Sequence, residues 1–171
     1  MPSSAYFDSC LFIELLQKGN PGRFGDCEDL WQKAVRHDLW IVTSAIAIVE
    51  VHKLGKTPGD DEESKTILRF FEHERIAVRP ADRQTVEMAH ELARSHGLAC
   101  MDAIHVATAL IAKVQVFYTY DGPKKGRKGL LKQNGKIGNP PLSIQQPPAK
   151  PVPPDPDKGT IFDPEKLAQN E

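Results

Sequence analysis

Between Asp102 and Asp121 the chain reads DAIHVATALIAKVQVFYTYD, and hardly any of it offers a polar face. Ala103, Ile104, Val106, Ala107, Ala109, Leu110, Ile111 and Ala112 predict a helix buried among other elements rather than one lying on a surface. The short strand VFYT follows. A buried scaffold thus carries one carboxylate in the first turn of a helix and a second just past a strand. Each has a local explanation, the first as a cap for orphan amides and the second as a turn residue. A functional reading depends on whether the rest of the chain sends more acids to the same place.

At 171 residues the chain suits one domain with a genuine core and some extra length. Lys and Arg total 22 against 23 for Asp and Glu, which speaks against wholesale binding to nucleic acid or membrane and makes any basic surface local. No apolar run approaches the roughly 18 residues of a membrane span. MPSSAYFDS lacks a basic segment ahead of a long apolar one, so a soluble, cytoplasmic protein with no membrane association is expected. Cys10, Cys27 and Cys100 have no C-x-x-C spacing, and they read as small buried apolar residues rather than disulfide or zinc ligands.

Strand and helix signals alternate. Ala5 to Phe7 predicts a buried strand, with Asp8 at its end and a helical pattern of Leu11, Phe12, Leu15 and Leu16 beyond Ser9. KGNPGRFGD breaks the chain, after which Asp26 is expected to cap a helix with Leu30, Trp31, Ala34 and Val35 inward. Leu39 to Val42 suits a parallel strand buried on both faces. Thr43 or Ser44 is then expected to cap the helix AIAIVEVHKL, whose polar exception, Glu50, lies about one and a half turns in. Asp60 to Glu63 open a helix through Phe71, their charges complementing its dipole. Ile76 to Val78 is a third strand. Asp82 caps a helix with Val86, Ala89, Leu92 and Ala93 inward and Gly97 as its left-handed stop. Leu142 to Ile144 is the last strand. The order predicts an α/β domain over residues 1–145, an open parallel sheet flanked by helices. Residues 146–171 read as a proline-rich tail or linker, since prolines remove amide donors and favour extended geometry.

In such a sheet, ligands bind beyond the carboxyl ends of the strands, where strand order reverses. Asp8, Glu50, Asp102 and Asp121 all fall at strand ends or at the starts of the following helices, so four acids converge on one crevice. Glu50 also has a plainer reading, as the solvent edge of its helix. Clustered carboxylates repel one another and are costly to bury unpaired, which implies a cation. An all-oxygen set favours a hard octahedral ion, Mg²⁺ or Mn²⁺. Such an ion eases hydroxide formation, neutralises phosphoryl charge and orients in-line attack, which points to a nuclease.

FDS near the N-terminus, TSAIAIVE in the middle, MDAIHVATAL later and YTYD after the next strand resemble, in order and spacing, the PIN domain. The likeness is greatest to the VapC-like ribonuclease toxins of bacterial toxin–antitoxin pairs, and it covers roughly residues 4–145. It implies a flavodoxin-like α/β fold that cleaves RNA with Mg²⁺ or Mn²⁺. By the same resemblance Asp8, Glu50 and Asp102 match the core metal-binding acids and Asp121 the more variable fourth. The hydroxyls of Ser9 and Thr119 stand beside the first and last acids. A cognate antitoxin and pairing as a homodimer are implied as well. Where many relatives have another acid or Asn and then Phe soon after the fourth acid, this chain has Gly122, Pro123 and a basic insertion.

Within that insertion Lys124, Lys125, Arg127 and Lys128 could guide RNA phosphates toward Asp121; a solvated loop is the plain alternative. His105, one helical turn after Asp102, reads as hydrogen-bonded structure ahead of ligand or base. Glu14 would point away from Asp8, and Trp31, Trp40, Phe70 and Phe71 are too scattered for a base-stacking platform. The rival from another class is a catalytically silent PIN-like module that binds RNA or protein. A phosphoacceptor domain is weakened because no acid precedes Asp8, and a D-x-D phosphohydrolase because Cys10 holds the second position.

Overall fold

The computed structural model describes residues 3–55, 60–123 and 129–149. Its apolar runs form five parallel strands, β1 (Ser3–Phe7), β2 (Leu39–Ser44), β3 (Ile76–Arg79), β4 (Val116–Tyr118) and β5 (Ser143–Gln145). They lie in the order β3-β2-β1-β4-β5. The chain therefore winds outward from β1 on one side and crosses to β4 on the other. That reversal opens a crevice at the carboxyl ends of β1 and β4.

Period-two alternation along β1 divides the core. Ala5 and Phe7 pack with Leu11, Phe12, Leu30, Ala34, Ile67 and Phe71 on one face of the sheet. Tyr6 packs with Leu92, Val106, Phe117 and Ile144 on the other. Helices α1 (Ser9–Gln17), α2 (Pro21–Val35), α3 (Ile46–Glu50) and α4 (Asp61–Phe71) supply the first layer, α5 (Arg83–His96) and α6 (Cys100–Ile111) the second. With helices on both faces, β1 buries three consecutive side chains completely, Ala5, Tyr6 and Phe7. The α6 segment is the buried helix its composition predicts: Ala103, Val106, Ala107 and Ala109 are all at most 1% exposed. Among the described residues no helix is long and apolar enough to cross a membrane.

Several local expectations need correction. Helix α2 starts at Pro21 rather than after Asp26, and its cap is Asn20, whose side chain accepts from the Arg23 amide at 3.1 Å. Proline fits a first helical position because its missing N–H would be unpaired there anyway, so a stretch that reads as a break is a helix start. Val35, at the end of α2, and Val86 are exposed; Thr85 takes the inward place and bonds Asp82 through both its amide and its hydroxyl. Thr43 and Ser44 extend β2 instead of capping, α3 begins behind Ala45 with no side-chain cap, and it stops at Glu50. The Ser44 hydroxyl still accepts from the Ile46 amide at 3.3 Å. Lys124, Lys125, Arg127 and Lys128, and the tail from residue 150, lie outside the described residues.

Gly97 and Gly129 both have left-handed backbone, with φ of 67° and 68°. Around Gly97 there is open space, whereas a Cβ on Gly129 would strike the Gly122 carbonyl and lie 2.9 Å from the Asp121 carbonyl oxygen. Gly97→Ala should therefore cost only the strain of left-handed backbone, about 1–2 kcal/mol, or roughly 2–8 °C in melting midpoint. Gly129→Ala should cost more, because backbone beside Asp121 has to move. Equal losses for the two variants in thermal unfolding would rule out that close approach.

Candidate active site

Strand β1 ends at Phe7 and α1 begins at Ser9, which leaves Asp8 at the head of the crevice, 6% exposed and capping α1. A buried carboxylate needs donors, and here they come from two elements. Asp8 Oδ1 accepts from the Ser9 amide at 2.8 Å, with the Ser9 hydroxyl at 3.4 Å. Oδ2 accepts from the Thr119 hydroxyl at 2.6 Å and the Cys10 thiol at 3.4 Å. Burial and the adjacent Asp8 charge hold Cys10 well above the usual thiol range, so it stays a donor.

Thr119, just past β4, is the link between acids. While its hydroxyl donates to Asp8, its oxygen accepts from the Asp121 amide at 2.9 Å. Asp121 is held from its other side by a short 3₁₀ helix, Leu130–Gln133: the Leu130 amide donates to Asp121 Oδ2 at 3.0 Å and the Leu131 amide to its carbonyl at 3.1 Å.

Glu50 arrives from the last residue of α3 with its side chain 28% exposed, and it is positioned from within the core. The Ser44 amide donates to Tyr6 Oη at 2.9 Å, Tyr6 Oη lies 2.6 Å from His105 Nδ1, and His105 Nε2 lies 2.7 Å from Glu50 Oε2. Burial, and then the charge of Asp8, raise the Tyr6 pKa, so its hydroxyl stays protonated. A Glu50 carboxylate can only accept, which puts a proton on Nε2. In the neutral ring Tyr6 donates to Nδ1; in the imidazolium Nδ1 donates to Tyr6, and Nε2–H faces Glu50 in both. Burial lowers the imidazole pKa, but the hydrogen bond to Glu50 and the charges of Asp8, Glu50 and Asp102 outweigh it and the net displacement is upward. His105, 1% exposed, is thus hydrogen-bonded structure that reaches the site through Glu50.

The four predicted acids share one cavity of about 260 Å³, with Ser9. Three further lining residues were not anticipated: Cys10, Arg23 and Tyr120. Cys10 is half-buried and Cys100 exposed, so only Cys27 is the buried apolar residue expected of all three. Arg23 carries no signal in the sequence because PGRFGD reads as a break, whereas it forms the first turns of α2. Its guanidinium lies 4.7 Å over the Tyr120 ring, a contact worth about 0.5–1 kcal/mol at such a site. Glu14, whose carboxylate stands 3.6 Å from Arg23 Nη1, touches the site only through that residue.

The chemistry of the donors fits a divalent cation. One carboxylate oxygen each from Asp8 and Glu50 and one ring nitrogen of His105 lie within 4.8 Å of one another. Because Nε2–H is committed to Glu50, the carboxylates are the available ligands and His105 orients one of them, an arrangement familiar at metal sites.

Comparison with curated proteins gives no match. Among solved structures, the fold is similar to that of VapC20 from Mycobacterium tuberculosis, a sarcin-ricin loop cleaving toxin, with a TM-score of 0.57 and 19% identity over 69% of this chain and 90% of that one. It is also similar to VapBC2 from Rickettsia felis, bound to a DNA fragment from its promoter, with a TM-score of 0.53 and 15% identity over 84% of this chain and 97% of that one. The profile of the PIN domain matches residues 5–122, well over half of the sequence. The chain belongs to the PIN domain family.

Proposed function

We propose that this protein is a Mg²⁺- or Mn²⁺-dependent endoribonuclease of the cytoplasm and the toxin of a toxin–antitoxin pair. The observation that carries this reading is the convergence of Asp8, Glu50, Asp102 and Asp121 on one cavity at the reversal point of the sheet. A bound dication supplies a water of lowered pKa and neutralises charge on the phosphoryl oxygens.

The chain's own residues hold and orient. Asp8, Glu50, Asp102 and Asp121 provide the ligand set; Thr119 and Ser9 fix Asp8, and His105 fixes Glu50. No dedicated general base is assigned, since His105 is committed to Glu50. The toxin reading is supported by the fold shared with VapC20 and VapBC2. It brings a cognate antitoxin, with a cationic side chain directed at the acidic cavity, and a homodimer as partners.

Incubating a mixed RNA pool with the wild type and Mg²⁺ or Mn²⁺ should give cleavage that EDTA abolishes and that Asp102→Asn reduces to background. Intact RNA in every lane, with no Mn²⁺ binding by calorimetry, would replace this reading with the silent RNA- or protein-binding module. His105→Ala should weaken Mn²⁺ binding roughly 10–100-fold, as loss of a residue that orients a ligand does, and unchanged affinity would remove His105 from the site. Tyr6→Phe strands the buried Ser44 amide and should lower unfolding stability by about 1–3 kcal/mol in urea titration.

A further inference from the structure

Four carboxylates around a cavity repel the polyanion that the proposed reaction brings there. A dication offsets only part of that repulsion, so the substrate needs a cation of the protein's own. Among the described residues one lines the cavity, Arg23 in the first turn of α2.

Its surroundings hold the guanidinium without consuming it. Glu14 forms an ion pair with it at 3.6 Å from Nη1, too long for a hydrogen bond, and the Arg23 side chain stays 49% exposed. Below it lies the Tyr120 ring, at 4.7 Å. Tyr120 is itself tied to the floor of the site: its amide donates to Cys10 Sγ at 3.3 Å, and that thiol donates to Asp8. Its hydroxyl reaches back to the Arg23 carbonyl at 3.4 Å. A guanidinium laid on an aromatic ring keeps its planar fork of donors for a phosphate and offers its face for stacking.

We propose that Arg23 and Tyr120 form a nucleotide-binding subsite for single-stranded RNA beside the acid cluster. Arg23 donates to a phosphate flanking the scissile bond, and the adjoining base stacks on the guanidinium, which sits over the Tyr120 ring. An unstacked base is needed for this, so the subsite selects single strands and loops over duplex. The inference rests on the ribonuclease reading and adds to it the residues that receive the substrate.

The test uses the full chain and a fluorescein-labelled single-stranded RNA of mixed sequence. Binding is followed by anisotropy with Mn²⁺ across a salt series in an Asp102→Asn background, and cleavage by steady-state kinetics with Asp102 intact. Arg23→Met should bind roughly tenfold more weakly and raise KM far more than it lowers kcat. It should also reduce the slope of log affinity against log salt by about 0.7, the share of one single-strand phosphate contact. Arg23→Lys, which keeps the charge without the planar face, should retain the slope and still lose affinity. Tyr120→Leu should weaken binding more than Tyr120→Phe. Duplex RNA should compete poorly. Should the wild type bind and cut RNA while Arg23→Met matches it in affinity, salt slope and KM, the subsite is wrong and the nuclease stands. A wild type that neither binds nor cuts RNA overturns both. If Arg23→Met melts early, the salt slope of Arg23→Lys decides: a slope reduced as far as a lost phosphate contact would require means the charge was not at a phosphate.

Discussion

The Thr119 hydroxyl, shared between Asp8 and Asp121, is the contact on which the arrangement of acids depends. It donates to one carboxylate and accepts from the backbone of the residue that bears another. It adds a side-chain tie to the ladder that already pairs β1 with β4 at their carboxyl ends. Residue 119 must carry a short hydroxyl that can donate and accept at once, because it sits fully buried between an anion and an amide. A purely apolar side chain there would leave Asp8 short of a donor and the Asp121 amide short of an acceptor, and both losses fall in a region closed to water.

The same economy appears on the other side of the crevice. Tyr6 stacks on Phe117 as part of the core, and its hydroxyl begins the chain of bonds through His105 to Glu50. Core packing and site geometry are therefore one structure: the ring that fills the space between β1 and β4 also sets the side-chain position of an acid on α3. In a low-dielectric interior such a chain is strong when every member is satisfied and costly when one is removed. Helix α3 is one of the shortest in the fold and has no side-chain cap, so Glu50 needs this external support.

Much of this was legible in the chain because it rests on periodicity. Apolar runs bounded by caps located all five strands, and Asp82 with Gly97 bounded α5 as their chemistry demands. Asp8, Glu50 and Asp121 could be placed at strand ends because each follows such a run within a few residues, and Asp102 because it opens the buried helix that leads into β4. Side-chain contacts across long sequence separations were not legible. His105 meets Glu50 across 55 positions and Tyr6 across 99, and no local pattern encodes a meeting of that kind. Arg23 was lost for a nearer reason: the glycines of PGRFGD outweighed a proline that fits a helix start, so the residue was assigned to a turn. Val86 misled in the opposite way, since a helical wheel counts Val as inward and Thr85 as outward while the Asp82 cap draws Thr85 in.

Placement of charge explains why the acids stand on different kinds of support. Asp8 is nearly enclosed and surrounded by donors, so it stays oriented whatever else is bound. Asp121 lies beyond the strand, held by amides of a 3₁₀ turn that follows an insertion rich in lysine. Both acids are thus held in place, Asp8 by side chains and an amide around the end of the central strand and Asp121 by backbone amides beyond β4. On the proposed nuclease reading, a small hard cation would sit against the innermost carboxylate, which the central strand carries, and the phosphodiester would meet the outer one, which stands on the loop beyond β4.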